Sequence, residues 1–390
     1  MTILFLLGLQ SRGKKKRAHI KQVREKQTIL WSRRPRAKKR YVDHIAGHAK
    51  ILRLYCGKDA KKDAQGNFIQ PAVPPVFNEI KFRRRWRISR RLAEKIHADI
   101  RHPIHGCKYF NLGPERNGKR GLSSLQKLFA ALRILCYGTC ADLLEDSFDI
   151  SETTARISHY NFCDWATKYY ASTIMGEWKE ADLQREMDHN ATRDFPGMIG
   201  SIDCTHWVWK NGPVSWQGHK RSVVMEAIAG HDLYFSHVFV GMPGSCNDIN
   251  VLQRSSIKIK IKYLGGPART IKYELNGKQK EGGHILTDGI YPDYTYFVKS
   301  IRRPIFPKDR MFAGEQEGAR KDVECAFGRK LIKFGILQKP ALVWRLRTLK
   351  NMCKSCAILH NLTIRDLQAA EEPAENLRRH PPEKALRRAR

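Results

Sequence analysis

The sequence predicts an α/β fold in which a mixed β-sheet is covered by helices. Three observations support this: strand-like apolar runs cluster between residues 198 and 288, helical periodicity flanks them on both sides, and a turn at 230–232 joins two runs as a hairpin. The 390 residues are enough for two or three domains, and 42% hydrophobic with 9% aromatic residues is typical of globular proteins.

The charge of the chain indicates a polyanionic partner. The sequence has 72 Lys and Arg against 38 Asp and Glu, a net charge of +34, and residues 1–100 alone hold 27 basic and 7 acidic residues. Neutralising phosphates releases condensed counterions, so such an excess favours nucleic acid. A merely soluble basic surface is the alternative. No run approaches the ~20 apolar residues of a membrane span, and no long amphipathic basic helix suggests a membrane surface.

Composition divides the chain into four parts. Residues 1–75 are predicted to be a basic, largely flexible arm, 76–190 a helical region, 191–366 the α/β domain, and 367–390 a disordered charged tail. Basic runs at 13–17 and 33–40 are typical of a nuclear-import signal or an arm that lies on DNA, which predicts a nuclear protein. The short apolar stretch 1–9 lacks the features of a secretion signal, so we expect the ten cysteines to be reduced inside a cell.

The helical region has the layout of a helix-turn-helix. Helices are predicted over Ser124–Tyr137 and Ala141–Asp146, and a third begins with Ser151 as its N-cap. The third helix is expected to expose these polar residues: Thr153, Thr154, Arg156 and His159. Thr153, Thr154 and Arg156 are therefore candidate DNA contacts, although a plain helical bundle would give the same pattern.

The α/β domain is predicted from a change of periodicity at Gly197. We expect the following elements: strands Met198–Trp207, Val223–Ala229 and Leu233–Val240, a helix Cys246–Ser256, an Asn-Gly hairpin in Glu274–Lys278, a strand ending before Asp288, and helices Glu317–Phe334 and Trp344–Asp366.

Three acidic residues in this domain are candidates for catalysis. Asp203 and Asp288 each follow apolar strand residues, and Glu324 lies on the basic helix. A buried strand tolerates an ionised carboxylate poorly unless a cation pairs with it. Oxygen ligands of this kind suit Mg²⁺ or Mn²⁺, and two such ions can stabilise the entering and leaving oxygens of a displacement at phosphorus. The trio therefore predicts metal-dependent cutting of a phosphodiester backbone.

Each acid also has a structural explanation. Asp203 is explained equally well as a capped strand end, Asp288 with Gly289 as a turn, and Glu324 as a surface partner of Arg320 or Lys321. For each acid taken alone, the structural explanation is stronger than a catalytic role. Because all three acids lie in one basic segment, the catalytic and structural explanations are about equally well supported for the set. Arg320 and Lys321 are then candidate DNA contacts beside Glu324.

Other constellations favour structural roles. Cys353, Cys356 and His360 have zinc-like spacing but share one helix face without an evident fourth ligand, so a core face is the preferred interpretation. The tryptophans within 207–216 are expected in the core, although one could stack on an unpaired base.

Several sequence blocks resemble, in order, those of PIF/Harbinger-type transposases, in particular the plant transposon protein subgroup. The blocks are GSIDCTHW with WKNGPVSWQGHK, GSCNDINVL, ILTDGIYPDYTYFVKSI, RKDVECAFG and ILHNLTIRD, and the resemblance extends over about 76–366. It implies a ribonuclease-H-like core whose DDE triad is Asp203, Asp288 and Glu324, and Asp248 matches a further family acid. The 36 positions between Asp288 and Glu324 suit the family.

The resemblance implies a transposase that cuts transposon ends and joins the freed 3′-hydroxyl to target DNA, using two Mg²⁺ or Mn²⁺ ions. It also implies a Myb-like partner protein, and we expect a homo-oligomer. Alternatives are a domesticated DNA- or chromatin-binding protein that no longer cuts and a nuclease without strand transfer. The chain departs from the family pattern at Cys325 and at 328–331.

Overall fold

The computed structural model describes residues 44–57, 61–62, 68–70, 74–111, 121–175, 179–257 and 267–379. The predicted basic runs at 13–17 and 33–40 and the last part of the predicted tail, 380–390, lie outside these ranges. In the described ranges no helix combines the length and apolar character needed to cross a membrane.

The first part of the described chain is mainly helical. Its elements are α1 (His44–Ile51, continued by a π-helical turn Leu52–Cys56), a short antiparallel pair β1 (Lys61–Lys62) and β2 (Phe68–Gln70), α2 (Glu79–Trp86), α3 (Arg90–Arg101), a 3₁₀ turn (Lys108–Asn111), α4 (Ser124–Tyr137), α5 (Leu143–Phe148), α6 (Glu152–Ile174) and α7 (Glu180–Ala191). The helix at Ser124–Tyr137 matches the prediction because a capping box at Ser123 begins it and Gly138, at φ +57°, ends it.

A cluster of aromatic side chains forms the core of the helical part. The ring of Tyr55 packs within 5.1 Å of Trp86 and 5.6 Å of Phe129, measured between ring centroids. Ile51 and Tyr55 are buried. Residues 44–57 therefore belong to the helical core, which differs from the prediction of a largely flexible arm reaching residue 75.

A five-stranded mixed sheet follows. Its strands are β3 (Met198–Val208), β4 (Ser222–Ala229), β5 (Phe235–Pro243), β8 (His284–Thr287) and β9 (Phe297–Lys299), in the order β5-β4-β3-β8-β9. β3, β4 and β5 are antiparallel neighbours, whereas β8 and β9 run parallel to β3. Between them lie α8 (Asp248–Arg254), α9 (Pro267–Thr270) and the separate hairpin β6 (Lys272–Leu275) and β7 (Lys278–Glu281), which turns at the predicted Asn-Gly pair.

Two long helices cover the sheet. They are α10 (Pro307–Lys333) and α11 (Leu346–Arg379). α10 begins ten residues before the predicted start, and α11 continues past residue 366, where a disordered tail was predicted. The prediction of a mixed sheet flanked by helices is confirmed.

The cysteine face of α11 is part of the core. Cys353, Cys356 and His360 are buried; the thiol of Cys353 lies 3.3 Å from the sulfur of Met225, and Nε2 of His360 bonds to the carbonyl of Leu233. The structural interpretation of these three residues is confirmed. Trp207 and Trp209 are likewise buried, and their indole N–H groups donate to the backbone carbonyls of Lys339 and Val343.

Candidate functional site

The two aspartates of the predicted trio lie side by side on neighbouring strands. In the parallel pair β3–β8, Ser201 is in register with Leu286, and Asp203 and Asp288 each lie two residues further on. Adjacent strands are about 4.8 Å apart, and residues two apart face the same side. The backbones of the two residues are therefore at about the same level of the sheet; Asp203 is half-buried in β3, and Asp288 is exposed just past the end of β8.

A β-bulge at Gly200 sets the face on which Asp203 lies. The register between β3 and β8 shifts by one residue between Met198 and Ser201, and Gly200 has φ +140°. One extra residue reverses the alternation that follows it. Met198 and Ser201 consequently both face α10, and Asp203 follows Ser201 on that side.

Glu324 approaches Asp203 from α10. The backbone N–H of Val323 donates a 3.2 Å hydrogen bond to Oγ of Ser201, which fixes this turn of α10 over β3. Oε1 of Glu324 forms a 3.0 Å ion pair with Nη1 of Arg320, one helical turn earlier. The side chain of Glu324 remains 45% exposed, so it lies at the rim of the site.

The charge of Asp203 depends on these neighbours. The pKa of Asp203 is raised to about 6, chiefly by burial and to a lesser extent by the charges of Asp248 and Glu324. The backbone N–H of Cys204, 2.8 Å from Oδ1 of Asp203, and the guanidinium of Arg320 act in the opposite direction. Asp203 is therefore a carboxylate whose ionised form a cation would stabilise.

Asp248 approaches the same position from the opposite face of the sheet. It begins α8 and shares a hydrogen bond with the thiol of Cys204, whose sulfur also lies 3.7 Å from the hydroxyl of Tyr291. Burial raises the pKa of Asp248, and the charge of Asp288 contributes in the same direction. Asp203, Asp248, Asp288 and Glu324 are called the acidic site below.

The acidic site has the chemistry of a site for hard cations, because carboxylate oxygens are the ligands that Mg²⁺ and Mn²⁺ prefer. Mutual repulsion links Glu324 to Asp203, Asp203 to Asp248, and Asp248 to Asp288. Among the described residues, no three His, Cys, Asp or Glu side chains are already grouped as ligands of one ion.

The predicted DNA contacts are distributed over two elements. Thr153 and Arg156 are exposed at the start of α6, where Arg156 forms a 3.0 Å ion pair with Glu152, and Thr154 is half-buried. Lys321 is exposed on α10, whereas Arg320 turns inward to Glu324.

His159 does not belong to the exposed set. Its side chain is buried in the helical core, and burial lowers its pKa to about 4. The prediction that it is exposed is wrong.

Two features of the site were not predicted. The bulge at Gly200 could have been suspected from a glycine inside an apolar strand run. The inward turn of Arg320 leaves no signal in the sequence beyond its i,i+4 spacing to Glu324, which is equally typical of a solvated surface pair.

Comparison with known proteins found a matching family model and a similar protein. The family model described as plant transposon protein matches residues 174–371, just over half of the chain, and this range contains the whole acidic site. A Rattus norvegicus protein named "Putative nuclease HARBI1" is 21% identical over 253 residues, which cover 63% of this chain and 68% of the rat protein. No solved structure matches the chain significantly.

Proposed function

Because the chain belongs to the plant transposon protein family, we propose that it is a DNA transposase that cuts transposon ends at the acidic site and joins them to target DNA. The observation that supports this most strongly is the meeting of Asp203 and Glu324. Two residues 121 positions apart come close enough for the charge of Glu324 to raise the pKa of Asp203, because the hydrogen bond from Val323 to Ser201 holds α10 over β3. Asp288 follows the neighbouring strand β8.

The site residues would divide the work by position. One Mg²⁺ or Mn²⁺ ion would be held by Asp203 and Asp288 at neighbouring strands. The second would be held by Asp203 and Glu324, across β3 and α10. Such ions lower the pKa of a bound water and neutralise charge on a phosphate and its leaving oxygen. In the cut, a water oxygen bonds to phosphorus as the bond to the 3′-oxygen breaks. In strand transfer, the freed 3′-hydroxyl replaces water as the nucleophile.

The remaining parts of the proposal follow from the same family. We propose that the five-stranded sheet is a ribonuclease-H-like core and that α5 and α6 act as a helix-turn-helix, with Thr153, Thr154 and Arg156 toward DNA. Arg320 and Lys321 would contact DNA near the cut. A Myb-like partner, a homo-oligomeric assembly and a nuclear location complete the proposal; the net charge of +34 supports contact with DNA.

A second function is favoured by a specific observation. Glu324 is already paired with Arg320, and in the described part of the chain no three ligand side chains are grouped around one point. Both features suit a domesticated protein that binds DNA without cutting it.

Cleavage of a DNA duplex that carries the terminal repeats flanking the gene distinguishes the two functions. With Mg²⁺ and the partner protein present, we expect wild-type protein to cut, and Asp288→Asn to lose more than the roughly 10–100-fold typical of residues outside the ligand shell. Asp293→Asn, an exposed acid five residues later, is the matched control and should keep its activity. If the wild-type protein binds this DNA as tightly as Asp288→Asn does but does not cut it, the second function, DNA binding without cutting, is the correct one.

A further inference from the structure

We propose that residues 301–311, here called the wedge segment, insert Ile305 and Phe306 into a base step of duplex DNA within a few base pairs of the bond that is cut. This inference rests on the proposed function, because it assigns a role within the same DNA complex. It concerns how the DNA is deformed, and it is tested without cleavage.

The wedge segment exposes large apolar side chains. Ile305 is 75% exposed and Phe306 67%, and Met311 is also exposed on the first turns of α10. Single exposed apolar residues are ordinary, but two adjacent ones with a third nearby indicate a surface that contacts another molecule.

Positive charge surrounds these side chains. Arg302, Arg303, Lys308 and Arg310 are all exposed within the same eleven residues, and Asp309 is the acid among them. An apolar protein partner gains little from four cations at the rim, whereas DNA presents a phosphate on each side of every base step. Charge complementarity therefore selects DNA as the occupant.

The wedge segment begins at the edge of the sheet where the acidic site lies. Thr287 of β8 is in register with Lys299 of β9, so the chain after β9 departs beside Asp288. The side-chain amide of Gln316 donates 3.0 Å hydrogen bonds to the carbonyls of Thr287 and Val298, which anchors α10 at that edge. Phe306, directly before α10, precedes Gln316 by ten residues, about 15 Å of helix rise. The wedge segment thus lies a few base pairs from a phosphate held at Asp288.

Inserting side chains into a base step is energetically favourable only when exposed apolar side chains and neighbouring cations act together. Separating a base step costs a few kcal/mol, which an apolar side chain filling the gap and new contacts to the flanking phosphates offset. Phe306 has an aromatic face on which a base can stack, and stacking tolerates any base sequence. The wedge segment supplies the apolar side chains and the cations at once.

The test uses full-length Asp288→Asn protein, so that the DNA stays intact, and a terminal-repeat duplex carrying 2-aminopurine at successive positions along its length. Stacked 2-aminopurine is dim and unstacked 2-aminopurine is bright. We expect binding to raise the fluorescence at one step, and Ile305→Ala with Phe306→Ala to abolish that rise. Trp344→Ala is the control, because Trp344 is 79% exposed but lies by Trp209, about 20 Å of strand beyond Asp203.

The cations are tested separately. Arg303 has φ +59°, a conformation that favours glycine, so Arg303→Gly removes the guanidinium without adding strain. We expect the slope of the logarithm of the binding constant against the logarithm of the salt concentration to become shallower by about 0.9, the value of one phosphate contact.

Three results would overturn the wedge. One is fluorescence that does not rise at any position although DNA binds. Another is a rise that survives loss of Ile305 and Phe306. The third is a change of oligomeric state in the double variant with unchanged fluorescence, which would make the segment a protein interface. None of these depends on whether the wild-type protein cuts, so failure of cleavage and failure of the wedge are distinguished.

Discussion

Nη1 of Arg320 lies 3.0 Å from Oε1 of Glu324, and only 18% of the arginine side chain is exposed. The same guanidinium opposes the rise in the pKa of Asp203. Arg320 is therefore the positive charge that both acids share in this structure, and a divalent cation at the acidic site would compete with it.

We predict that Arg320→Gln lowers the melting temperature of the metal-free protein and enlarges the increase that Mg²⁺ produces. Without the guanidinium, Asp203 and Glu324 repel each other, and a cation then binds more tightly. Each tenfold gain in affinity adds about 1.4 kcal/mol of stabilisation once Mg²⁺ exceeds its dissociation constant. Thermal unfolding with and without Mg²⁺ measures both effects.

The control for this prediction is Arg329→Gln, which removes an exposed arginine from the same helix. It should leave the Mg²⁺-induced change as in the wild type. If Arg320→Gln also leaves it unchanged, Arg320 does not compete with a cation at this site.

A second prediction concerns the bulge that aims Asp203 at α10. Gly200 has φ +140°, and a Cβ atom there would lie 2.9 Å from the carbonyl oxygen of Ala229. We expect Gly200→Ala to cost about 1–3 kcal/mol of unfolding free energy, because neither the backbone nor the neighbouring strand can give way. Urea unfolding measures the loss.

Gly314 provides the matched control for this glycine. It lies inside α10, where an added Cβ atom meets nothing within 4 Å apart from the neighbouring backbone of its own helix. Gly314→Ala should be neutral or stabilise the protein by up to about 1 kcal/mol. Destabilisation of equal size at both positions would show that the bulge is not under special constraint.

These residues also show which parts of the site a sequence can reveal. The strands, their order of appearance and the acids at their ends follow from apolar periodicity, because a buried strand requires it. The bulge at Gly200 is signalled only by a glycine within an apolar run, since one inserted residue changes the face on which Asp203 lies without changing the local composition. The inward turn of Arg320 depends on the packing of α10 over β3, which no pattern along α10 contains.

Lys330 gives a third prediction, because this basic residue of the predicted DNA-facing helix is fully buried. Its ammonium lies 2.8 Å from the sulfur of Met225 and 5.2 Å from the ring centroid of Phe327. Burial lowers its pKa. We expect Lys330→Met to stabilise the protein at pH 7 by on the order of a few kcal/mol, the penalty of burying one charge.

The pH dependence of that gain follows from the direction of the shift. Between the lowered pKa of the folded state and the ordinary lysine value, the unfolded chain binds more protons, so wild-type stability rises with pH. The advantage of Lys330→Met should therefore shrink as pH approaches 10. Lys321→Met, at an exposed position of α10, should change stability by no more than about 0.5 kcal/mol at either pH.

The last prediction separates the electrostatics of Asp203 from its role in cutting. With a pKa of about 6, folded Asp203 holds its proton more tightly than the unfolded chain does. Wild-type stability is therefore nearly undiminished at pH 3, below the ordinary value of 3.8 and the folded value of about 6, and falls as pH rises between these two values. Asp203→Asn carries no charge at any pH. It should melt at a higher temperature than wild type at pH 7 and at nearly the same temperature at pH 3.

Asp288→Asn is the matched comparison for Asp203→Asn. The side chain of Asp288 is exposed, so its substitution should change stability by no more than about 0.5 kcal/mol at either pH. Both variants should nevertheless lose DNA cutting, because both remove a carboxylate that would hold a cation. A wild type that melts higher than Asp203→Asn at pH 7 would mean that a cation already compensates Asp203 in the folded protein. Retained cutting by either variant would remove that residue from the proposed mechanism.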